Sequence, residues 1–245
     1  PWWSQTLEKA INELHTGRYE TGFDRMEELV HRKEFGTDDR DLPTELLLYH
    51  GLFAAHLGHY DNAVRDFAIL TGRAYAAEQD TSGTRRSSTG LGTNDYRLIL
   101  ARMLYLGGNA PQAMATYRRA LEFDIGLYIA HVQMARMYEQ EGKLEDAIKE
   151  RKLALEVSPD DPDLQVELAN TLVKANRFEE AVDPLGEAGR LNPRDPRVPY
   201  LQGMVALRMA HPEVARPAFQ RFLEIAPSRY ATQVEDVKSY LAGPQ

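Results

Sequence analysis

A repeat of 34 residues in the second half of the chain constrains the fold most strongly. Segments 128–161 and 162–195 align without a gap, and residues of the same type recur at equivalent positions. The recurring pairs are Ala135 and Ala169, Ala147 and Ala181, Ala154 and Ala188, and Pro159 and Pro193. A repeat of this length is one supersecondary unit, which buries its apolar face by stacking on copies of itself. The pattern therefore predicts an array of stacked units.

The same spacing extends in both directions from these two segments. The repeats follow one another without a gap from residue 94 to residue 229. Upstream of residue 94 the same spacing persists, but insertions separate the units. The predicted divisions are 1–43 for a divergent first repeat and linker, 44–93 for a second repeat and a Gly/Ser/Thr-rich insert, 94–127, 128–161, 162–195 and 196–229 for the third to sixth repeats, and 230–245 for a capping helix and tail.

Each repeat is predicted to form two antiparallel helices. In segment 128–140, residues His131, Met134, Ala135 and Tyr138 have the spacing of one helical face. A residue that tolerates a left-handed backbone then ends the first helix. These residues are Gly17, Gly58, Gly108, Gly142 and Asn176. A proline closes the second helix, since it cannot extend one. The fold class is therefore all-α.

Composition restricts the classes of partner. The 245 residues include 29 basic and 37 acidic residues, for a formal net charge of −8. Nonspecific nucleic-acid binding depends on clustered Lys and Arg, so a nucleic-acid partner is not expected. The chain has no cysteine, which removes disulfides and thiolate metal sites from consideration. No apolar run approaches the ~18 residues that a spanning helix needs.

The pattern resembles the tetratricopeptide repeat family over residues 3 to about 242. The resemblance implies a right-handed superhelical solenoid of about six helix-turn-helix repeats with a C-terminal capping helix. It also implies a noncatalytic scaffold or adaptor that binds a protein segment in its concave groove, without a cofactor, in the assembly of a multiprotein complex. The chain departs from the family at Lys9 and His50, where the family prefers Leu, and at Arg151, which occupies an aromatic position.

The resemblance further implies which residues line the groove. The first helices contribute Arg102, Tyr105, Gln133, Arg136, Glu167, Asn170, Lys174, Tyr200 and Arg208. Arginine and asparagine side chains are suited to hold the carboxylates or the backbone of an extended peptide, and tyrosines provide rigid anchors. The alternative is that these side chains are solvated or pair with Glu139, Glu167 and one another. Chaperone adaptors of the family hold a terminal carboxylate with Lys and Asn, where this chain has Leu7 and Ile11.

A second contact surface is predicted in the insert at 78–93. Arg85 and Arg86 lie there among glycines and hydroxyl residues, and long loops often carry function. The alternative is a solvated insert without a partner. This insert motivates a second hypothesis for function, a structural subunit bound through its convex face, its ends and the insert.

Catalytic and metal-binding interpretations have little support in the sequence. His50, His56 and His59 form a weak zinc pattern, because no cysteine or pair of carboxylates accompanies them. Packing or surface histidines are the favoured interpretation. No nucleophile and base are suitably spaced, and no acidic pair stands in an apolar setting, so we expect neither an enzyme nor a metal site.

The start of the chain leaves the compartment open. The first residue is Pro1, so one hypothesis is that a leader or a membrane anchor precedes it. Trp2 and Trp3 either mark such an anchor, since Trp favours membrane interfaces, or pack on the first helix pair. The sequence is compatible with a soluble cytoplasmic protein and with a periplasmic or membrane-tethered one, and it does not give the oligomeric state.

Overall fold

The computed structural model describes residues 1–36, 38–80 and 89–243, which form thirteen α-helices and no strand. These helices divide into two compact units, Pro1–Ile125 and Gly126–Gln245. Within each unit, consecutive helices pack as pairs. The prediction of an all-α repeat fold with a C-terminal helix is confirmed.

The first unit contains three helix pairs. They are α1 (Ser4–His15) with α2 (Tyr19–Val30), α3 (Thr44–Leu57) with α4 (Tyr60–Glu78), and α5 (Thr93–Leu106) with α6 (Ala110–Phe123). Two short 3₁₀ turns, Lys33–Phe35 and Asp39–Asp41, lie between α2 and α3. The core of this unit includes the fully buried rings of Phe53 and Phe67.

The second unit contains three helix pairs and one further helix. They are α7 (Tyr128–Gln140) with α8 (Leu144–Val157), α9 (Pro162–Lys174) with α10 (Phe178–Leu191), α11 (Arg197–Arg208) with α12 (Pro212–Ile225), and finally α13 (Ala231–Ala242). Val237 of α13 is buried against Phe219 and Phe222 of α12. The terminal helix therefore covers apolar surface of the last pair, as a capping helix should.

The turns inside the six helix pairs have the same backbone conformation. A residue in the left-handed conformation follows the first helix, and the residue after it donates its N–H to a carbonyl five positions earlier. The left-handed residues are Gly17, Gly58, Gly108, Gly142, Asn176 and Ala210. This Schellman arrangement satisfies carbonyls that would otherwise lack donors. Five of the six positions were predicted from sequence, and Ala210 was not, because alanine disfavours this conformation.

Small residues allow the paired helices to approach closely. Ala135 on α7 and Ala147 on α8 are fully buried, as are Ala169 on α9 and Ala181 on α10. Between α11 and α12 the small residue is Gly203, where an added Cβ would lie 2.5 Å from the ring of Phe219. These positions fix how near the two helices of a pair can lie.

The amino-terminal tryptophans pack against the first unit. Trp2 stacks on Phe35 at a centroid distance of 5.3 Å, and the guanidinium of Arg32 lies 5.1 Å from the Trp2 ring. Trp3 is partly buried against the core of the unit. Trp3 therefore packs on the first unit, whereas Trp2 stays about half exposed.

The flanks of the insert are held, whereas its predicted contact residues, Arg85 and Arg86, lie outside the described residues. Glu78 at the end of α4 accepts a hydrogen bond of 2.7 Å from the backbone N–H of Thr93 at the start of α5. The hydroxyl of Tyr96 lies 2.5 Å from that of Thr89. The end of α4 and the start of α5 are therefore in direct contact.

In the parts of the chain that the structure describes, no helix has both the length and the apolar character needed to span a membrane.

Candidate functional site

The face formed by the first helices of the second unit carries most of the predicted groove residues. We call the side chains that α7, α9 and α11 present together the first-helix face. The predicted residues are Gln133 and Arg136 on α7, Glu167, Asn170 and Lys174 on α9, and Tyr200 and Arg208 on α11. Arg136, Lys174 and Arg208 are exposed, and the other four are partly buried.

Contacts between α7 and α9 bring several of these side chains together. Arg136 donates a hydrogen bond of 2.7 Å to Oε1 of Glu167, and Lys174 donates one of 2.7 Å to Oε2 of Glu139. The hydroxyl of Thr171 donates at 2.6 Å to Oε1 of Glu139. Each contact joins residues about one repeat apart, so equivalent positions of adjacent repeats face one another.

Arg151 of α8 lies beneath these contacts and completes a charged network. Only 4% of its side chain is exposed, and it donates to Glu139 at 3.2 Å and to Glu167. Its Nε is buried and has no hydrogen-bond acceptor among the described residues. Three cations, Arg136, Arg151 and Lys174, thus share two carboxylates, which leaves the network with an excess of positive charge.

The ionisation of Glu139 reflects its surroundings. Burial alone would raise the pKa of this carboxyl, but hydrogen bonds from Lys174 and Thr171 and the charge of Arg151 outweigh burial and lower it. Glu139 is therefore ionised at neutral pH. It stabilises the buried cation of Arg151, which would otherwise lack compensation.

The three cations differ in how freely they can change partners. The side chains of Arg136 and Lys174 are each 47% exposed. Water competes for these two cations, although their carboxylate partners Glu167 and Glu139 are only 25% and 13% exposed. Arg136 and Lys174 can therefore change partners more readily than Arg151, which is buried.

The contribution of α11 to the first-helix face is partly structural. The ring of Tyr200 packs against Phe222 at a centroid distance of 5.2 Å, which makes it a component of the terminal core. Arg208 is exposed in the last turn of α11 and makes no ion pair with a described residue. A lone exposed cation at this end adds positive charge to the face.

Arg102 and Tyr105 belong to the first compact unit, where they lie one turn apart on α5. Arg102 is exposed and Tyr105 is partly buried. The charge of Arg102 acts on the buried Tyr117 of α6, whose pKa is raised by burial to about 12 despite that charge.

Sequence reasoning missed a charged cluster inside the first unit. His50 of α3 is buried, and its Nδ1 lies 2.5 Å from Oδ2 of the fully buried Asp66 on α4. Its Nε2 lies 2.8 Å from Oε1 of Glu27 on α2. The sequence analysis assigned no carboxylate partner to His50, and the structure gives it two, Asp66 and Glu27. The available signal was His50 itself, a polar residue where the family prefers Leu.

The three histidines do not converge on one point. Both ring nitrogens of His50 contact carboxylates, while His56 stacks on Tyr19 and His59 packs edge-on against Phe23. Across the described residues, no group of three or more His, Asp or Glu side chains has an arrangement that would hold a metal ion. His50 is thus buried between two carboxylates, whereas His56 and His59 are exposed and pack against aromatic rings.

Comparison with known proteins identifies a repeat family in part of the chain and a shared fold over most of it. Residues 138–205 match the tetratricopeptide repeat family. The crystal structure of the C-terminal part of a tetratricopeptide repeat-containing protein from Cytophaga hutchinsonii superposes with a TM-score of 0.73 and 14% identity, covering 96% of this chain and 85% of that one. Residues 138–205 therefore carry tetratricopeptide repeats, and the chain shares the fold of tetratricopeptide repeat structures.

Further similarities agree with this assignment. The structure of the MamA protein resembles this chain with a TM-score of 0.59 at 14% identity, over 77% of this chain and 94% of that one. An uncharacterized protein of Haemophilus influenzae is 31% identical over 78 residues, which is 31% of this chain and 44% of that protein. This chain therefore spans less than half the length of that relative. Tetratricopeptide repeat proteins are in general protein-interaction scaffolds, and the fold is typically noncatalytic.

Proposed function

We propose that this tetratricopeptide repeat protein is a noncatalytic scaffold that binds a partner segment rich in carboxylate side chains on its first-helix face. The observation that carries the proposal is the network in which Arg136, Arg151 and Lys174 share Glu139 and Glu167. A carboxylate from a partner would balance the excess positive charge, in a chain whose overall charge is −8. Such binding would serve the assembly of a multiprotein complex.

Individual side chains on this face would have different roles. Arg136 and Lys174, exposed and weakly paired, would bind partner carboxylates, and the fork of Arg136 suits a bidentate contact. Asn170 lies between Glu167 and Lys174 on α9, and its amide would both donate to and accept from the backbone of an extended segment. Glu139 would keep Arg151 in place beneath the ligand.

A defined peptide tests the charge preference. The probe is a fluorescein-labelled peptide of about ten alternating alanine and glutamate residues, and its counterpart has lysine in place of glutamate. We expect saturable binding of the acidic peptide by fluorescence anisotropy, weaker at higher salt because exposed charges are screened. The lysine peptide should not bind.

Matched variants test the location. Arg136→Gln and Lys174→Gln should each weaken the acidic peptide several-fold, and together by about tenfold or more. Lys149→Gln is the control, because Lys149 is an exposed lysine on α8 that pairs with Asp146. Equal affinity for the two peptides, or a control variant that weakens binding as much as Arg136→Gln does, would reject the proposal.

The hypothesis of a structural subunit has one specific observation in its favour. A largely apolar cavity of about 530 Å³ lies between the second helices α10 and α12, with α11 as its floor. Val182 and Val214 at its rim are about half exposed. Apolar side chains of a neighbouring subunit would fit there, and the insert would add polar contacts.

Two changes separate this alternative from the first proposal. Val182→Asp with Val214→Asp would disrupt an apolar contact, and deletion of 83–92 would remove Arg85 and Arg86. If complex assembly is lost in either variant while acidic-peptide binding persists, the subunit hypothesis holds. If assembly survives both changes and fails with Arg136→Gln and Lys174→Gln, the first-helix face is the binding surface.

A further inference from the structure

A polar cavity in the second unit lies apart from the first-helix face and from the apolar cavity. Its volume is about 390 Å³, and it lies where the end of α10 meets the start of α11 and the short 3₁₀ turn Ser228–Tyr230. Its lining includes Asn192, Arg194, Asp195, Arg197, Arg229 and Tyr230. Three arginines thus surround one carboxylate.

That single carboxylate is already fully engaged by one of the arginines. Asp195 is buried and accepts hydrogen bonds from Nε of Arg197 at 2.9 and 3.0 Å and from the backbone N–H of Arg197 at 2.9 Å. Burial alone would raise the pKa of Asp195, but these bonds outweigh burial and lower it, so the group is ionised. Arg197 also pairs with Asp163. The charge of Arg197 is therefore compensated.

The other two arginines have no ion pair of their own, although the charge of Arg229 also acts on Asp195 and helps to lower its pKa. Arg194 and Arg229 are both exposed, and neither forms an ion pair with a carboxylate of the described residues. The guanidinium of Arg229 lies 5.3 Å from the ring centroid of Tyr230, which orients it at the rim of the cavity. Two positive charges therefore face one polar cavity in a chain of net charge −8.

We propose that this cavity binds a phosphoryl oxyanion. A phosphate monoester carries close to two negative charges at neutral pH and has three acceptor oxygens. It would balance both arginines, whereas a carboxylate would leave one of them uncompensated. Guanidinium groups bind phosphate through two parallel hydrogen bonds. The hydroxyl of Tyr230 and the side-chain amide of Asn192 supply further donors in the lining.

Calorimetric titration of the full chain tests the proposal. The probes are inorganic phosphate and a short peptide with one phosphoserine, with the unphosphorylated peptide and sodium chloride of equal ionic strength as blanks. We expect saturable binding of a phosphorylated probe and of neither blank. Arg194→Gln and Arg229→Gln should each weaken binding about tenfold. Arg221→Gln is the matched control, since Arg221 is an exposed arginine of α12 paired with Glu224.

Each result of the titrations either supports the phosphate proposal or overturns it. Tighter binding of the phosphopeptide identifies a phosphorylated partner as the source of the oxyanion, and tighter binding of inorganic phosphate identifies a free phosphate compound. Absence of saturable binding for both probes, or equal affinity in wild type and both arginine variants, overturns the proposal. Arg136→Gln should leave phosphate binding at this cavity unchanged. A failure of the phosphate proposal can therefore be told apart from a failure of the acidic-peptide proposal for the first-helix face.

Discussion

Lys174 of α9 donates a 2.7 Å hydrogen bond to Glu139 of α7, and the two residues are 35 positions apart in the chain. Side chains at this separation meet because each repeat returns its first helix to the side of the preceding first helix. Glu139 also accepts from Thr171 and Arg151. One carboxylate therefore connects three helices, which makes its removal informative.

Glu139→Gln should destabilise the second unit by about 2–4 kcal/mol. The neutral amide no longer compensates Arg151, whose buried guanidinium then keeps only Glu167. The measurement is the midpoint of urea unfolding. Glu141→Gln is the control, because Glu141 is exposed and pairs with the exposed Lys143. A midpoint for Glu139→Gln equal to that of the control would contradict the role assigned to the network.

His50 should make the stability of the first unit depend on pH. Burial alone would lower its pKa, but hydrogen bonds and charges from Asp66 and Glu27 outweigh burial and raise it. Asp66 also pairs with Arg65. Because the folded-state pKa is raised, protonated His50 stabilises the fold fully below the unfolded value of about 6.5, and this contribution is lost as pH rises through the folded value.

The variant His50→Gln measures this contribution. The difference in free energy of unfolding between wild type and His50→Gln should be largest at about pH 6 and should shrink as the pH rises towards about 9. His15→Gln is the control, since His15 is exposed in the last turn of α1 and does not contact the cluster. A difference that stays constant over this range would show that His50 is not held as a cation.

Gly203→Ala should destabilise the last helix pair by about 1–3 kcal/mol. The added Cβ would lie 2.5 Å from the ring of Phe219, which is buried and cannot move freely. Gly186 on α10 is the matched control, because a Cβ there meets no atom within 4 Å. Gly186→Ala should instead stabilise by about 0.5–1 kcal/mol through helix propensity. Equal urea midpoints for the two variants would refute the close approach.

Ala210→Gly should stabilise the protein by about 0.5–1 kcal/mol. Ala210 has a φ of +59° in the turn between α11 and α12, a conformation that costs alanine about 1–2 kcal/mol and glycine little. The equivalent Gly142 has a φ of +73°, so Gly142→Ala should destabilise by about 1 kcal/mol. Thermal unfolding tests whether the two substitutions change the melting temperature in opposite directions. A lower melting temperature for Ala210→Gly would be inconsistent with the turn geometry.

The sequence predicted the elements that local rules control. Left-handed turn residues, closing prolines and helical periodicity act over a few positions, so Gly142 and Pro159 indicated where helices end. The small residues Ala135 and Ala147 indicated where helices cross. The groove residues came from the family resemblance, and their role in binding stays a prediction.

Contacts between helices could not be predicted in the same way. Glu27, His50 and Asp66 come from three helices, and their proximity depends on packing angles that no local pattern encodes. Arg151 stands at a position where the repeat family has an aromatic residue, and the structure shows its side chain buried between Glu139 and Glu167. A polar residue in an apolar position of a repeat therefore signals a charged network, whose members only the fold reveals.

Site-specific photo-cross-linking tests the central claim most directly. A photoreactive amino acid replaces Gln133 on the first-helix face in one protein and the exposed Lys149 of α8 in another. The labelled alanine–glutamate peptide is then irradiated with each full chain. Our account predicts cross-linking from position 133, reduced by Arg136→Gln with Lys174→Gln, and none from position 149. Cross-linking of equal strength from both positions, or from position 149 alone, would contradict it.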